Sequence, residues 1–188
     1  MTNTKFIIKL AAILFAIAFL CTLILVVCNS ITAPVIEKLQ VEAENNAKAE
    51  VLSATDAEFE KTKAKGVEEA YIAYDKNGKT LGYCFKVMPS GFGGAITLMV
   101  GVDTNGSVCG VKITEMAETP GLGAKASEEK WLGQFVGKTS GINIVKGGKS
   151  GKNDVDAISG ATITSKAVAK GVNDALDAAK ELIKKEGE

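Results

Sequence analysis

The sequence predicts an α+β protein: an N-terminal transmembrane helix followed by an antiparallel sheet with helices packed on one face. Three observations carry this. Over residues 10–28 every residue is apolar except Thr22, a run close to the roughly 20 residues that cross a bilayer. From Tyr71 to Ile113 the apolar pattern has period two and is broken at Asn77-Gly78 and Asn105-Gly106, a dipeptide that signals hairpins. Towards the C-terminus Val168, Val172, Leu176, Ala179 and Ile183 recur at spacings of four, four, three and four, which makes one apolar stripe on a helix.

The anchor comes first. Lys5 and Lys9 precede the apolar run without an acidic neighbour, which sets the N-terminus in the cytoplasm. The run is longer than the apolar stretch of a secretory leader. Ile31-Thr32-Ala33 is followed by Pro34, a poor residue after a cleavage site, and Cys28 follows Val26-Val27 rather than the small residue of a lipoprotein signal. A retained single-pass anchor within 1–33 is therefore expected, with the lipid bilayer as partner and the rest of the chain on the outer face. Pro34 is expected to mark the exit from the membrane. Residues 34–69 read as a helical spacer, with 35–52 a helix rich in Glu, Lys, Gln and Ala and 53–69 a short helix with loops. The domain itself is expected over 70–188. Its strands fall at 71–74, 81–87, 96–102 and 108–113, joined as two hairpins.

Composition excludes several kinds of chemistry. The 22 basic and 22 acidic residues cancel, so nucleic acid is not an expected partner. All 22 basic residues are lysine, and the chain has no arginine and no histidine. The usual bidentate reader of bases and phosphates is missing, and so are a Ser-His-Asp triad and histidine-liganded zinc or haem. Cys21, Cys28, Cys84 and Cys109 form no CxxC pair, so no metal or iron–sulfur site is expected, and spacing does not establish a Cys84–Cys109 disulfide. Cys84 alternates with Gly82 and Lys86, a mixed face, whereas Cys109 is in phase with Val111 and Ile113, the core. Chemistry must come from a bound cofactor or from carboxylate, hydroxyl, thiol and lysine groups.

Two loops are rich in glycine. Pro89-Ser90-Gly91-Phe92-Gly93-Gly94 lies between the hairpins, and Glu118-Thr119-Pro120-Gly121-Leu122-Gly123 follows the second. Either is a plain turn or a place where backbone approaches a ligand closely. Trp131 and Phe135, four apart, read as a core aromatic pair in preference to a ligand-stacking one. Lys146-Gly147-Gly148-Lys149-Ser150-Gly151-Lys152 reads as a flexible basic loop. It contains Gly-Lys-Ser but lacks the first glycine of a nucleotide-binding loop and the apolar helix after it, so that motif is discarded.

The stretch Asp156-Ala157-Ile158-Ser159-Gly160-Ala161-Thr162-Ile163-Thr164-Ser165 leads into the C-terminal helix. Ser159, Thr162, Thr164 and Ser165 are each able to cap it, because the first N–H groups of a helix lack partners. The same bare N–H groups favour a phosphate, and Gly160 and Ala161 leave room for one to approach.

Ser159-Gly160-Ala161-Thr162-Ile163-Thr164, with Asp156 three residues upstream, resembles the flavinylation motif of the FMN-binding domain family. Glu118-Thr119-Pro120-Gly121-Leu122-Gly123 is similar to a second motif of that family, and the resemblance covers about residues 88–185. It implies that a flavin transferase joins the phosphate of FMN to the hydroxyl of Thr164. It also implies cofactor contacts at Ser159, Gly160, Ala161, Thr162, Glu118, Thr119, Gly121, Leu122 and Gly123, with Lys166 beside the phosphate and Asp156 serving recognition by the transferase. The isoalloxazine edge is expected along Gly121-Leu122-Gly123 and the Gly91–Gly94 loop. Met116-Ala117 departs from the His-Gly type pair of many relatives.

The length and anchor resemble the G subunits of Rnf-type complexes, which are ion-translocating ferredoxin:NAD oxidoreductases. The C subunits of the sodium-pumping NADH:quinone reductases are similar but longer. The implied function is electron relay through covalently attached FMN in a bacterial inner or plasma membrane, with other membrane subunits of the complex as partners. A redox-inert outer-surface module holding a phosphorylated small ligand is the alternative, and a purely structural role in the complex is a third reading.

Overall fold

The computed structural model describes residues 4–148 and 151–186, apart from the side chains of Lys5 and Glu186. Lys149 and Ser150 of the basic loop lie outside the described residues, as does the Lys5 side chain of the anchor's basic flank. The chain divides into two compact units, Met1–Glu42 and Ala43–Glu188.

Helix α1 (Thr4–Val51) makes up the described part of the first unit and ends in the second. It contains an 18-residue window of mean hydropathy 3.1, none of it buried within the protein, so it is long and apolar enough to cross a membrane. Its hydroxyl groups are satisfied internally: Ser30 Oγ donates to Val27 O at 2.9 Å and Thr32 Oγ1 to Cys28 O at 3.0 Å. Pro34 lies inside the helix, which runs on through 35–51, the segment expected to be helical. It removes one N–H from the ladder, and the turns on both sides carry the helix through.

In the second unit, β1 (Glu58–Thr62), β2 (Glu69–Tyr74), β3 (Thr80–Val87), β4 (Thr97–Asp103) and β5 (Val108–Glu115) form one antiparallel sheet in sequence order. Residues 53–69 are therefore not a short helix with loops. Glu58–Thr62 pairs with β2 in the register Glu58↔Tyr74 to Thr62↔Ala70. Its sequence Glu-Phe-Glu-Lys-Thr shows one large apolar residue, too little for a period-two signal, and the pairing edge of β2 decides its conformation.

Both hairpins use an aspartate as well as the Asn-Gly pair. Asp75 Oδ1 accepts from the N–H groups of Asn77 and Lys79 at 2.8 and 2.9 Å. Asp103 Oδ1 accepts from those of Asn105 and Ser107, both at 2.8 Å. Gly78 and Gly106 then take positive φ, which only glycine adopts without strain.

After β5 come a 3₁₀ turn (Gly123–Ser127), α2 (Glu129–Leu132), a second 3₁₀ turn (Gly133–Phe135) and two parallel strands, β6 (Asn143–Val145) and β7 (Asp154–Asp156). Trp131 and Phe135 form the expected buried core pair, edge to face with ring centroids 5.2 Å apart. Helix α3 (Thr162–Glu186) closes the chain. Its stripe Val168, Val172, Leu176 and Ala179 is fully buried with Phe85, Leu98 and Val100 of the sheet.

At Gly171 α3 lies close against the sheet. A Cβ there would lie 2.7 Å from Leu98 Cδ1, 3.0 Å from Pro89 Cγ and 3.1 Å from Val87 Cγ2. Helix propensity alone favours Gly171→Ala by about 1 kcal/mol. The expected result is the opposite, a loss of about 1–3 kcal/mol from overpacking, read as a lower urea midpoint.

The architecture is the expected α+β one, with an addition on the second face of the sheet, which the last turns of α1 cover. A Cβ on Gly101 would sit 2.5 Å from Val51 O, and one on Gly110 2.8 Å from the same atom. These glycines pair across β4 and β5 beside Cys84 and let the helix end lie directly on the sheet. Glu44 pairs with Lys86 and Glu50 with Lys112 at its flanks.

This arrangement reverses the expected cysteine positions. Cys84 is fully buried with Ala47, Val51 and Met99, because its mixed face is covered. Cys109 is only half-buried. A β-bulge shifts the register between the Gly101↔Gly110 and Val102↔Val108 pairs, and Cys109 is the extra residue, out of phase with the core. Both thiols are free. Burial pushes the Cys84 thiol up to about 12, so the native protein is expected to alkylate at Cys109 well before Cys84 at about pH 8. Peptide mapping after a timed iodoacetamide pulse checks this.

Candidate functional site

Helix α3 begins at Thr162, inside the hydroxyl-rich stretch, and the turn before it is built by two of its own residues. Gly160 has φ +77°, the left-handed conformation that glycine accommodates. Ser165 Oγ accepts the N–H of Ile158 at 3.0 Å and donates to Ala161 O at 2.9 Å. Of the four hydroxyl residues, Ser165 thus ties the entry turn to the helix. Ser159 and Thr162 are left at the surface of a cavity, and Thr164 turns inward.

The Thr164 hydroxyl donates to Glu118 Oε2 at 2.9 Å across 46 residues of sequence. Thr164 is 1% exposed and Glu118 8%. The other carboxylate oxygen, Glu118 Oε1, accepts the backbone N–H groups of Phe92 at 2.8 Å and Gly93 at 3.1 Å. Three segments that the sequence singled out separately therefore meet at one carboxylate: the 91–94 loop, the 118–123 turn and the start of α3.

They enclose a cavity of about 610 Å³, within the range of small-molecule and cofactor sites. Residues 157–164 form one side. Glu118, Thr119, Leu122 and Gly123 form another, and Phe92, Lys146 and Gly147 complete it. Its mouth is apolar, since Phe92, Leu122 and Ile163 line it while 70, 45 and 56% exposed. At its polar end, the N–H groups of the first turn of a 25-residue helix lack intrahelical partners, which suits a phosphate. Gly121 does not line the cavity. It takes φ +77° and shapes the turn that presents Leu122. A Cβ on Gly160 would come within 3.0 Å of Leu122 Cδ2, so the two loops touch there.

Of the expected site residues, the cavity gathers Ser159, Gly160, Ala161, Thr162, Thr164, Glu118, Thr119, Leu122 and Gly123. Lys166 is exposed and lies outside it. Asp156 borders a separate groove with Lys125, Lys130 and Gln134. Its backbone is fixed by the Trp131 indole N–H, which donates to Asp156 O at 2.7 Å, and by Asp156 N–H, which donates to Gln134 Oε1 at 3.1 Å. Its Oδ1 is buried without a hydrogen-bond partner among the described residues. Met116, at the departure from the family pattern, packs against the core, and Ala117 O lies where a Cβ on Gly93 would meet it at 2.1 Å.

Sequence reading did not name Lys146 or Ile163 as lining residues, whereas Phe92 belongs to the Gly91–Gly94 loop that was expected at the site. Lys146 sits just after β6, in a stretch read as a flexible loop. Only the parallel β6–β7 pairing brings it beside residues 157–160.

Residues 91–177 match the FMN-binding domain family. The chain is 40% identical to the G subunit of the Na⁺-translocating ferredoxin:NAD⁺ oxidoreductase complex of Acetobacterium woodii, over 90% of this chain and 89% of that one. It is 37% identical to the G subunit of the proton-translocating ferredoxin:NAD⁺ oxidoreductase complex of Clostridium ljungdahlii, over 85 and 84%. The fold resembles the crystal structure of Shewanella oneidensis NqrC, with a TM-score of 0.52 at 20% identity, covering 67% of this chain and 69% of that one.

Proposed function

Because the chain belongs to the FMN-binding domain family, in the branch that holds the G subunits of the ferredoxin:NAD⁺ oxidoreductase complexes, we propose that it is their membrane-anchored flavoprotein component and relays electrons through covalently attached FMN. The observation that carries this reading is the inward-facing Thr164 hydroxyl at the polar end of a cavity of flavin-compatible size, between the two family motifs. FMN bound there supplies one- and two-electron redox chemistry, while the protein sets its position and surroundings.

The residues present fit that group. The first turn of α3, with Ser159, Gly160, Ala161 and Thr162, takes the phosphate. Thr164 is the point of attachment. Leu122, Phe92 and Ile163 would offer the ring an apolar surface, and Thr119, Gly121 and Gly123 hold the turn that carries Leu122. Lys146 brings a positive charge to the cavity wall, and Lys166 contributes one from the surface. Asp156, with an unpaired oxygen in its own groove, serves recognition by the flavin transferase during maturation.

The anchor within 1–33 spans a bacterial inner or plasma membrane with its N-terminus cytoplasmic. The flavin-holding part, expected over 70–188 and extended by strand β1 and the end of α1, lies on the outer face, where other membrane subunits of an ion-translocating Rnf-type complex exchange electrons with it.

The test is mass spectrometry of the tryptic peptide 153–166 from protein co-produced with a flavin transferase. A mass gain equal to esterified FMN, fragmenting to Thr164, is expected. An unmodified peptide would return the site to a non-redox binding module for a phosphorylated ligand.

A further inference from the structure

We propose that Glu118 prepares Thr164 for flavin attachment, orienting its hydroxyl and accepting its proton, a role that rests on Thr164 being the attachment point. An alcohol is a weak nucleophile near neutral pH and needs an adjacent base. An ionised carboxylate only accepts hydrogen bonds. Glu118 Oε2, 2.9 Å from Thr164 Oγ1, is within the reach required of a general base.

The carboxylate is held in place from the other side. Two backbone N–H groups bind Oε1 and prevent its rotation. It also lies in a glycine cradle. A Cβ on Gly91 would sit 2.2 Å from Oε1, and one on Gly123 would sit 2.4 Å from Oε2 and 2.9 Å from Thr164 Oγ1. Any side chain at Gly123 would part the acceptor from the hydroxyl. That close packing explains why the glycine stands five residues after Glu118 without needing a special backbone angle of its own.

The step balances without oxidation or reduction. Thr164 Oγ1 attacks the phosphorus of a flavin nucleotide activated as a phosphoanhydride. The Oγ1–P bond forms while the P–O bond to the leaving phosphate breaks, and the leaving group departs with the electron pair. The hydroxyl proton passes to Glu118 Oε2.

The experiment uses full-length unmodified protein, purified transferase and flavin adenine dinucleotide, with the rate of mass gain on peptide 153–166 followed from about pH 6 to pH 9. In Glu118→Gln the amide oxygen keeps the two backbone N–H groups and its NH₂ faces Thr164 Oγ1, so the shape stays and the proton acceptor goes. Its rate is expected to fall at least about tenfold at neutral pH, with the deficit narrowing as pH rises and hydroxide replaces the carboxylate. Gly123→Ala is expected to slow attachment similarly. Glu118→Asp, with the carboxylate one methylene short, is expected to recover part of the rate and carries the test if Glu118→Gln does not fold.

A Glu118→Gln rate within about twofold of wild type, or a deficit equal at every pH as a structural role would give, overturns the proposal while leaving Thr164 as the acceptor. Wild-type protein that gains no mass overturns the acceptor assignment and this role together.

Discussion

Thr164→Val will yield a folded protein without covalent flavin. Valine matches threonine in shape but has no hydroxyl, so no phosphoester can form at this position. Helix α3 is held by its buried stripe Val168, Val172, Leu176 and Ala179, which the substitution does not touch. The cost to stability is local: Glu118 Oε2 loses the Thr164 hydroxyl that donates to it at 2.9 Å, and an unsatisfied buried acceptor costs about 1–3 kcal/mol. Ultraviolet fluorescence of the denatured band, together with the mass of peptide 153–166, reads the result. Thr164→Ser keeps the hydroxyl and should keep the flavin. Covalent flavin persisting in Thr164→Val would move the attachment to Ser159 or Thr162, the cavity hydroxyls nearest in sequence.

Phe85→Ala will destabilise the second unit by about 3–5 kcal/mol. Phe85 is fully buried in β3 and belongs to the cluster that joins the sheet to α3. It pairs with Ala70 on one side and Val100 on the other, so neither neighbouring strand position holds a bulky residue able to fill the void. The loss should appear as a lower urea midpoint with little change in slope. Because α3 carries Thr164 at its start, the same variant should also lower flavin attachment. A change under about 1 kcal/mol would remove Phe85 from the centre of the core.

Much of the site was legible because its motifs are local. Gly121 and Gly160 stand where positive φ is needed, and the hydroxyls of 159–165 cluster at a helix start, where unpaired N–H groups require partners. The stripe on α3 was legible for a related reason: one amphipathic helix has one way to bury its apolar face. Partner choice was not legible. Four hydroxyls were equally able to cap, yet Ser165 bonds the Ile158 N–H ahead of the helix and Ala161 O, and Thr164 bonds Glu118, contacts that no local pattern selects. Strand β1 was missed because an edge strand with a single large apolar residue has almost no pattern of its own.

The amino-acid order by itself determined an apolar segment able to cross a membrane, two Asp-x-Asn-Gly hairpins, an amphipathic closing helix and two motifs of the FMN-binding domain family. Each is a periodicity or a turn chemistry confined to neighbouring residues. Tertiary structure decided what depends on contacts between distant ones. It laid the end of α1 on Gly101 and Gly110, burying Cys84, and a bulge turned Cys109 out of phase. It also brought Glu118 to Thr164 across 46 residues. No local pattern encodes that meeting, because it depends on how α3 packs on the sheet and on glycines small enough to let three loops converge.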